Sequence, residues 1–126
     1  MSPTSWTISE LAREFEITPR TIRFYEDQGI VSPAREGRNR VYGTRDRARL
    51  KLALRGKRLG LQLAEIRTLI DMYDGPGDSE AQLREYLAVL TRHREILARQ
   101  RQDIDDTLAE IASQEAECRR LLDERG

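Results

Sequence analysis

Cysteine and histidine are almost absent: among 126 residues there is one of each, Cys118 and His93. A single thiol excludes an intramolecular disulfide and a thiolate metal cage within one chain. No apolar run approaches the ~18 residues of a membrane span. The polar start MSPTSW lacks the basic-then-apolar pattern of a secretory leader, so the expected location is cytoplasmic. Aromatics are scarce, at 6% against 35% charged residues, which leaves little to line a deep ligand pocket within one subunit. There is no phosphate-binding glycine loop, no Cys–His pair on matching elements and no carboxylate pair in a foreseeable pocket. An enzyme is therefore not expected, and neither is a resident cofactor or metal. At this length there is room for one compact domain plus an extension.

What is abundant is charge, and it is unevenly spread. The formal net charge is zero, yet residues 1–75 carry +4 and residues 76–126 carry −4. Between Arg35 and Arg58, ten basic residues face only Glu36 and Asp46, an excess of +8. A neutral total does not argue against a nucleic-acid partner, because the electrostatic footprint is local.

The stretch TISELAREFEITPRTIRFYEDQGIVSPAREGRNRVY, Thr7 to Tyr42, organises the chain. Thr7-Ile8-Ser9-Glu10 has the form of a capping box, and Ile8, Leu11, Ala12 and Phe15 follow at helical spacing. Thr18 and Pro19 suit the N-cap and first position of a second helix, and Gly29 suits the left-handed residue that ends it. At 100° per residue, Ile22, Tyr25 and Glu26 share one side of that helix, while Arg20, Arg23, Phe24 and Asp27 share the other. Guanidinium forks can read guanine edges or grip phosphates, and a ring can pack on sugars or methyls. Taken alone, a solvated charged face would look the same. The neighbouring segment decides the reading: Ile30-Val31 resembles a short strand, and AREGRNRVYG reads as a basic hairpin around Gly37-Arg38-Asn39. Such a wing would hold the backbone beside a groove without reading sequence.

Thr44 is expected to cap a third helix over residues 45–58, with Ala48, Leu50, Ala53 and Leu54 inward and a mostly basic surface. Leu63, Ile66, Leu69, Ile70 and Tyr73 form the inner face expected of a fourth helix. Lys57 and Arg58, at the junction, read as a second phosphate-contacting turn. Asp74-Gly75-Pro76-Gly77-Asp78 is the clearest linker. It divides a DNA-binding domain, residues 1–75, from a linker and dimerisation helix, residues 76–126.

A capping box at Ser79 and Gln82 opens one long helix running to about Leu122, on the order of 60 Å at 1.5 Å per residue. Its apolar register is a heptad. Leu83, Leu90, Leu97, Ile104, Ile111 and Cys118 occupy d; Leu87, Arg94, Arg101, Leu108, Glu115 and Leu122 occupy a. A two-stranded coiled coil follows. In a parallel pair the seam charges would meet their own copies. Run antiparallel about Ile104–Asp105, Arg94 of one chain lies near Glu115 of the other, so charge pairing favours that orientation. Cys118 reads as a small seam residue and His93 as a packing or solvated residue beside the seam.

These residues carry a resemblance. TISELAREFEITPRTIRFYEDQGIVSP, GRNRVYG and LGLQLAEIRTLI resemble the MerR family of bacterial transcriptional regulators, over essentially the whole chain. The resemblance implies a mainly α fold: a winged helix-turn-helix domain and a long helix forming an antiparallel dimeric coiled coil. It implies a homodimer on double-stranded promoter DNA that distorts an overlong spacer when a small-molecule effector binds, so that RNA polymerase engages both promoter elements. As DNA contacts it suggests Arg20, Thr21, Arg23, Phe24, Tyr25, Arg38, Arg40 and Tyr42, beside Lys57 and Arg58. Phe24 often corresponds to a tyrosine in relatives. The cysteines of metal-sensing and redox relatives are missing, as is the ligand domain of drug-sensing ones. The short, cysteine-poor type is similar to regulators beside leucine, isovalerate or other acyl-CoA catabolic genes. Two other classes fit parts of the pattern: an excisionase-like or architectural protein that bends DNA without an effector, and a coiled-coil adaptor whose N-terminal domain binds protein.

Overall fold

The computed structural model describes residues 4–74 and 80–126. The chain divides into two compact units, Met1–Tyr86 and Leu87–Gly126. The expected Gly75–Asp78 linker residues and the Ser79 cap lie outside the described residues.

In the first unit, α1 (Ile8–Phe15) starts at the expected capping box. The Thr7 amide donates to Glu10 Oε1 at 2.9 Å, and the Glu10 amide donates to Thr7 Oγ1 at 3.1 Å. Helix α1 stops at Glu16, which takes up the left-handed conformation, φ 55°. Its partner α2 (Pro19–Asp27) begins with Thr18 as N-cap, whose hydroxyl accepts from the Thr21 amide at 3.2 Å. Pro19 sits in the first turn, where a missing N–H costs nothing. Beyond the helix, Gly29 adopts φ +76°, a region costly to residues with a Cβ.

A three-stranded antiparallel sheet follows, in the order β1-β3-β2. Its strands are β1 (Ser5–Trp6), β2 (Ala34–Glu36) and β3 (Asn39–Gly43). Strand β1 was not anticipated; Trp6 pairs with Tyr42, and Ser5 with Gly43. The β2–β3 hairpin pairs Glu36 with Asn39 and so turns on two residues, Gly37 and Arg38. Gly37 has φ +63° and Arg38 does not, the pattern of a type II′ hairpin turn. Asn39 therefore opens a strand instead of shaping the turn. Ile30 and Val31, expected as a strand, form none, although each is only 1% exposed. They are irregular chain plugged into the core, and the Ile30 carbonyl accepts from Arg49 Nε instead of a neighbouring strand.

Helix α3 (Thr44–Arg58) is capped by Gly43, so Thr44 is its first residue and not its cap. Asp46 supplies the missing acceptor: its carboxylate takes the Gly43 amide at 3.1 Å and the Ser32 amide at 2.9 Å. Leu50 and Ala53 are buried, while Ala48 and Leu54 are half-buried. Gly60, with φ +84°, turns the chain into α4 (Leu63–Asp74). Leu61, Ile66 and Ile70 pack inward from this region; Tyr73, expected on the inner face, is 56% exposed. Together with Leu11, Ile22, Tyr25, Tyr42 and Leu50 they make one core. Each large apolar side chain so buried contributes about 1.5–3 kcal/mol, against about 0–1 kcal/mol for an exposed ion pair. Packing, not surface charge, holds these helices together.

Helix α5 (Glu80–Arg125) runs unbroken for 46 residues and carries no buried residue. The expected seam is bare: Leu83, Leu87, Leu97, Ile104, Leu108, Ile111 and Leu122 are all large exposed apolar side chains, and Cys118 is exposed beside them. Leu90 is half-buried. Intrahelical pairs such as Arg84–Glu80, Arg119–Glu115 and Arg120–Glu124 lace the surface at i,i+4 spacing. No helix among the described residues is long and apolar enough to cross a membrane.

Candidate nucleic-acid interface

The outer face of α2 is as the helical spacing requires. Ile22 and Tyr25 are buried, while Arg20, Arg23 and Asp27 are exposed and Phe24 is 48% exposed. Phe24 does not float: its ring packs edge-on against Tyr25, centroids 5.4 Å apart at 67°, so the exposed ring is held by the core. Thr21 is half-buried, and its hydroxyl lies 3.0 Å from that of Thr18, tying it into the cap.

Five of the ten basic residues between Arg35 and Arg58 are paired internally. Arg40 Nε donates to Glu26 Oε2 at 2.8 Å, and Arg35 Nη2 stands 3.6 Å from Glu26 Oε1. Arg45 and Arg49 both hold Asp74, the last residue of α4. Arg47 pairs with Glu14 of α1 and lies over two rings, 5.4 Å from Trp6 and 5.8 Å from Phe15. The hydrogen bond from Arg47 lowers the Glu14 carboxyl below its ordinary value.

What remains is informative. Among the described residues, Arg20, Arg23, Arg38, Lys51, Arg55, Lys57 and Arg58 enter no ion pair. Three of them meet. Lys51, Lys57 and Arg58 line a concavity of about 700 Å³ together with Thr18, Thr21, Phe15, Ile17 and Leu54. The expected contacts Lys57, Arg58 and Thr21 are thus brought to one place. Sequence reasoning missed Lys51 and Thr18 there. The signal for Lys51 was its position on α3 one and two turns before Leu54 and Arg58, on the same side of the helix. Arg38 stands at the exposed tip of the wing.

Three expected contacts are placed differently. Tyr42 is fully buried, its hydroxyl included, with no hydrogen-bond partner among the described residues. Burial, and then the charge of Glu26, pushes its phenol upward. It is a core residue closed off from any groove. Tyr25 is 2% exposed, and burial raises its phenol as well; it supports Phe24 from below. Arg40 is turned inward onto Glu26. No group of three His, Cys, Asp or Glu side chains suited to a metal ion occurs among the described residues.

A short helix pair whose second helix exposes two arginines, a hairpin wing and a cationic cleft define a winged helix-turn-helix protein that binds DNA. Comparison with known proteins gives the family. Residues 6–73 match the model of the MerR HTH family regulatory proteins, and residues 47–114 match that of the MerR DNA-binding region. The HTH-type transcriptional regulator ZntR of Escherichia coli K12 is 31% identical over 120 residues, covering 94% of this chain and 79% of that protein. A MerR family regulator from Bacillus cereus shares the fold with a TM-score of 0.68 at 23% identity, covering 86% of this chain and 78% of the other. HiNmlR, a MerR family regulator lacking the sensor domain and solved bound to promoter DNA, matches with a TM-score of 0.61 at 23% identity, covering 82% and 78%. The chain belongs to the MerR family of transcriptional regulators.

Proposed function

We propose that this regulator binds a two-fold symmetric promoter site in the cytoplasm as a homodimer. Arg20, Arg23 and Phe24 enter the groove, and Arg38, Lys51, Lys57 and Arg58 hold phosphates on either side, with Thr21 anchoring the helix start. The observation that carries this reading is the pairing of charge: Arg35, Arg40, Arg45, Arg47 and Arg49 are tied to Glu14, Glu26 and Asp74, while Arg20, Arg23, Arg38, Lys51, Lys57 and Arg58 enter no ion pair among the described residues. Free guanidinium and ammonium groups on one surface are what phosphate contacts require.

Two copies pair through the bare a/d face of α5, antiparallel, with Arg94 of one near Glu115 of the other. That pairing sets the spacing of the two α2 helices, and a small-molecule effector acts by changing it. The DNA between them is then distorted so that RNA polymerase engages the promoter. Orientation is tested at Cys118: antiparallel chains keep the two thiols apart, so efficient Cys118–Cys118 disulfide formation within the dimer would contradict it.

Base reading is tested at Arg23. Arg23→Ala is expected to cost about 1–3 kcal/mol of specific binding if the guanidinium contacts a base. Footprinting of the promoter region upstream of the gene would show the loss. A variant that still discriminates fully between operator and random DNA removes Arg23 from the readout.

A further inference from the structure

The wing contains an arrangement that recognition alone does not call for. The β2–β3 register sets Arg35 directly opposite Arg40. Like charges facing each other across a strand pair are unfavourable. Both guanidiniums are nevertheless held by a single carboxylate on the flank of α2. Glu26 Oε2 accepts from Arg40 Nε at 2.8 Å, and Glu26 Oε1 lies 3.6 Å from Arg35 Nη2. The Glu26 side chain is 20% exposed and that of Arg40 26%, so the contact is partly withdrawn from water and less screened than a surface pair.

We infer that Glu26 is a positioning residue for DNA recognition: it fastens the wing to the recognition helix, withholds Arg40 from phosphate and draws the half-exposed Arg35 towards the same carboxylate. The consequence is a division of charge along the hairpin. Arg38, at the turn, stays free to meet the duplex, while Arg35 and Arg40 set the angle at which it does so. Phosphate contacts carry no sequence information. Two loose arginines would therefore strengthen binding to any DNA, and Glu26 trades that general affinity for a fixed wing. The inference rests on the DNA-binding reading above and assigns a role within the same surface.

The test is the salt dependence of binding to a random-sequence 24-base-pair duplex, followed by fluorescence anisotropy on the full chain. Each additional phosphate neutralised steepens the slope of log affinity against log salt by about 0.9. Glu26→Gln is expected to steepen it by about 1–2 per protomer and to tighten random-DNA binding several-fold at low salt. Arg40→Gln in the otherwise native chain is expected to leave the slope unchanged, and Arg40→Gln added to Glu26→Gln is expected to take back about 0.9 of the change. Simple neutralisation of a nearby acid predicts otherwise, because Arg40→Gln would then flatten the slope equally in both backgrounds. That result, or a Glu26→Gln slope equal to the native one, overturns the inference. If Glu26→Gln does not fold, Arg40→Gln alone decides: a slope flattened by about 1 shows Arg40 on phosphate and overturns it. A native chain with no salt-dependent DNA binding sinks the DNA-binding reading itself, a distinct outcome.

Discussion

Gly56 of α3 and Ile66 of α4 meet so closely that a Cβ on the glycine would stand 2.8 Å from Ile66 Cγ1. Ile66 is buried and branched at Cβ, so this atom has no room to swing aside. In a free helix, glycine to alanine gains about 1 kcal/mol. Overpacking costs about 1–3 kcal/mol, and here it wins. Gly56→Ala is expected to lower stability by up to about 2 kcal/mol in urea denaturation, the difference of these two effects. A raised midpoint would show that α3 and α4 separate freely.

The Glu14–Arg47 pair gives a pH signature. The folded-state pKa of Glu14 lies below its ordinary value of 4.5, first because Arg47 donates to it. A depressed carboxylate contributes stability above its unfolded pKa and loses it as pH falls through the folded one. The stability gap between the native chain and Glu14→Gln should therefore be constant from neutral pH to about 5 and shrink below it. With the carboxylate about a third exposed, the gap is small, about 1 kcal/mol or less. A gap that widens on acidification contradicts the pairing.

Tyr42 carries a buried hydroxyl with no hydrogen-bond partner among the described residues. Removing it breaks no internal hydrogen bond, so Tyr42→Phe is expected to leave stability unchanged or raise it by up to about 1 kcal/mol. The raised phenol adds a second sign. A group whose folded pKa is raised contributes stability below its unfolded value, near 10, and loses it as pH rises. Tyr42→Phe should not show that alkaline loss. Destabilisation by more than about 1 kcal/mol at neutral pH would place the hydroxyl in a network instead.

Local rules made much of this legible. The caps at Thr7 and Thr18, the left-handed Gly29 and the two faces of α2 follow from residues within one or two turns of each other. So does the a/d stripe of α5. Features set by distant partners were not legible. Strand β1 is two residues long and has no alternation to betray it; it exists because Trp6 finds Tyr42. Ile30 and Val31 have strand-like composition, yet their surroundings offer a core pocket and an Arg49 donor, and no ladder. Arg40 looked like a DNA contact because Glu26, 14 residues earlier, gives no hint of reaching it. Conversely, Lys51 joined the cationic cleft only once α3 packed beside the α1–α2 turn.

The sorting of charge is tested most directly by comparing two neutralisations in the salt dependence of duplex binding. Lys57→Gln with Arg58→Gln removes two unpaired cations from the cleft, whereas Arg45→Gln removes an exposed arginine whose guanidinium is 3.0 Å from Asp74. The first is expected to flatten the slope of log affinity against log salt by about 1.8 per protomer, and the second to leave it within about 0.3 of the native value. Equal flattening by both, or by neither, would contradict the claim that unpaired cations on this face form the DNA-binding surface.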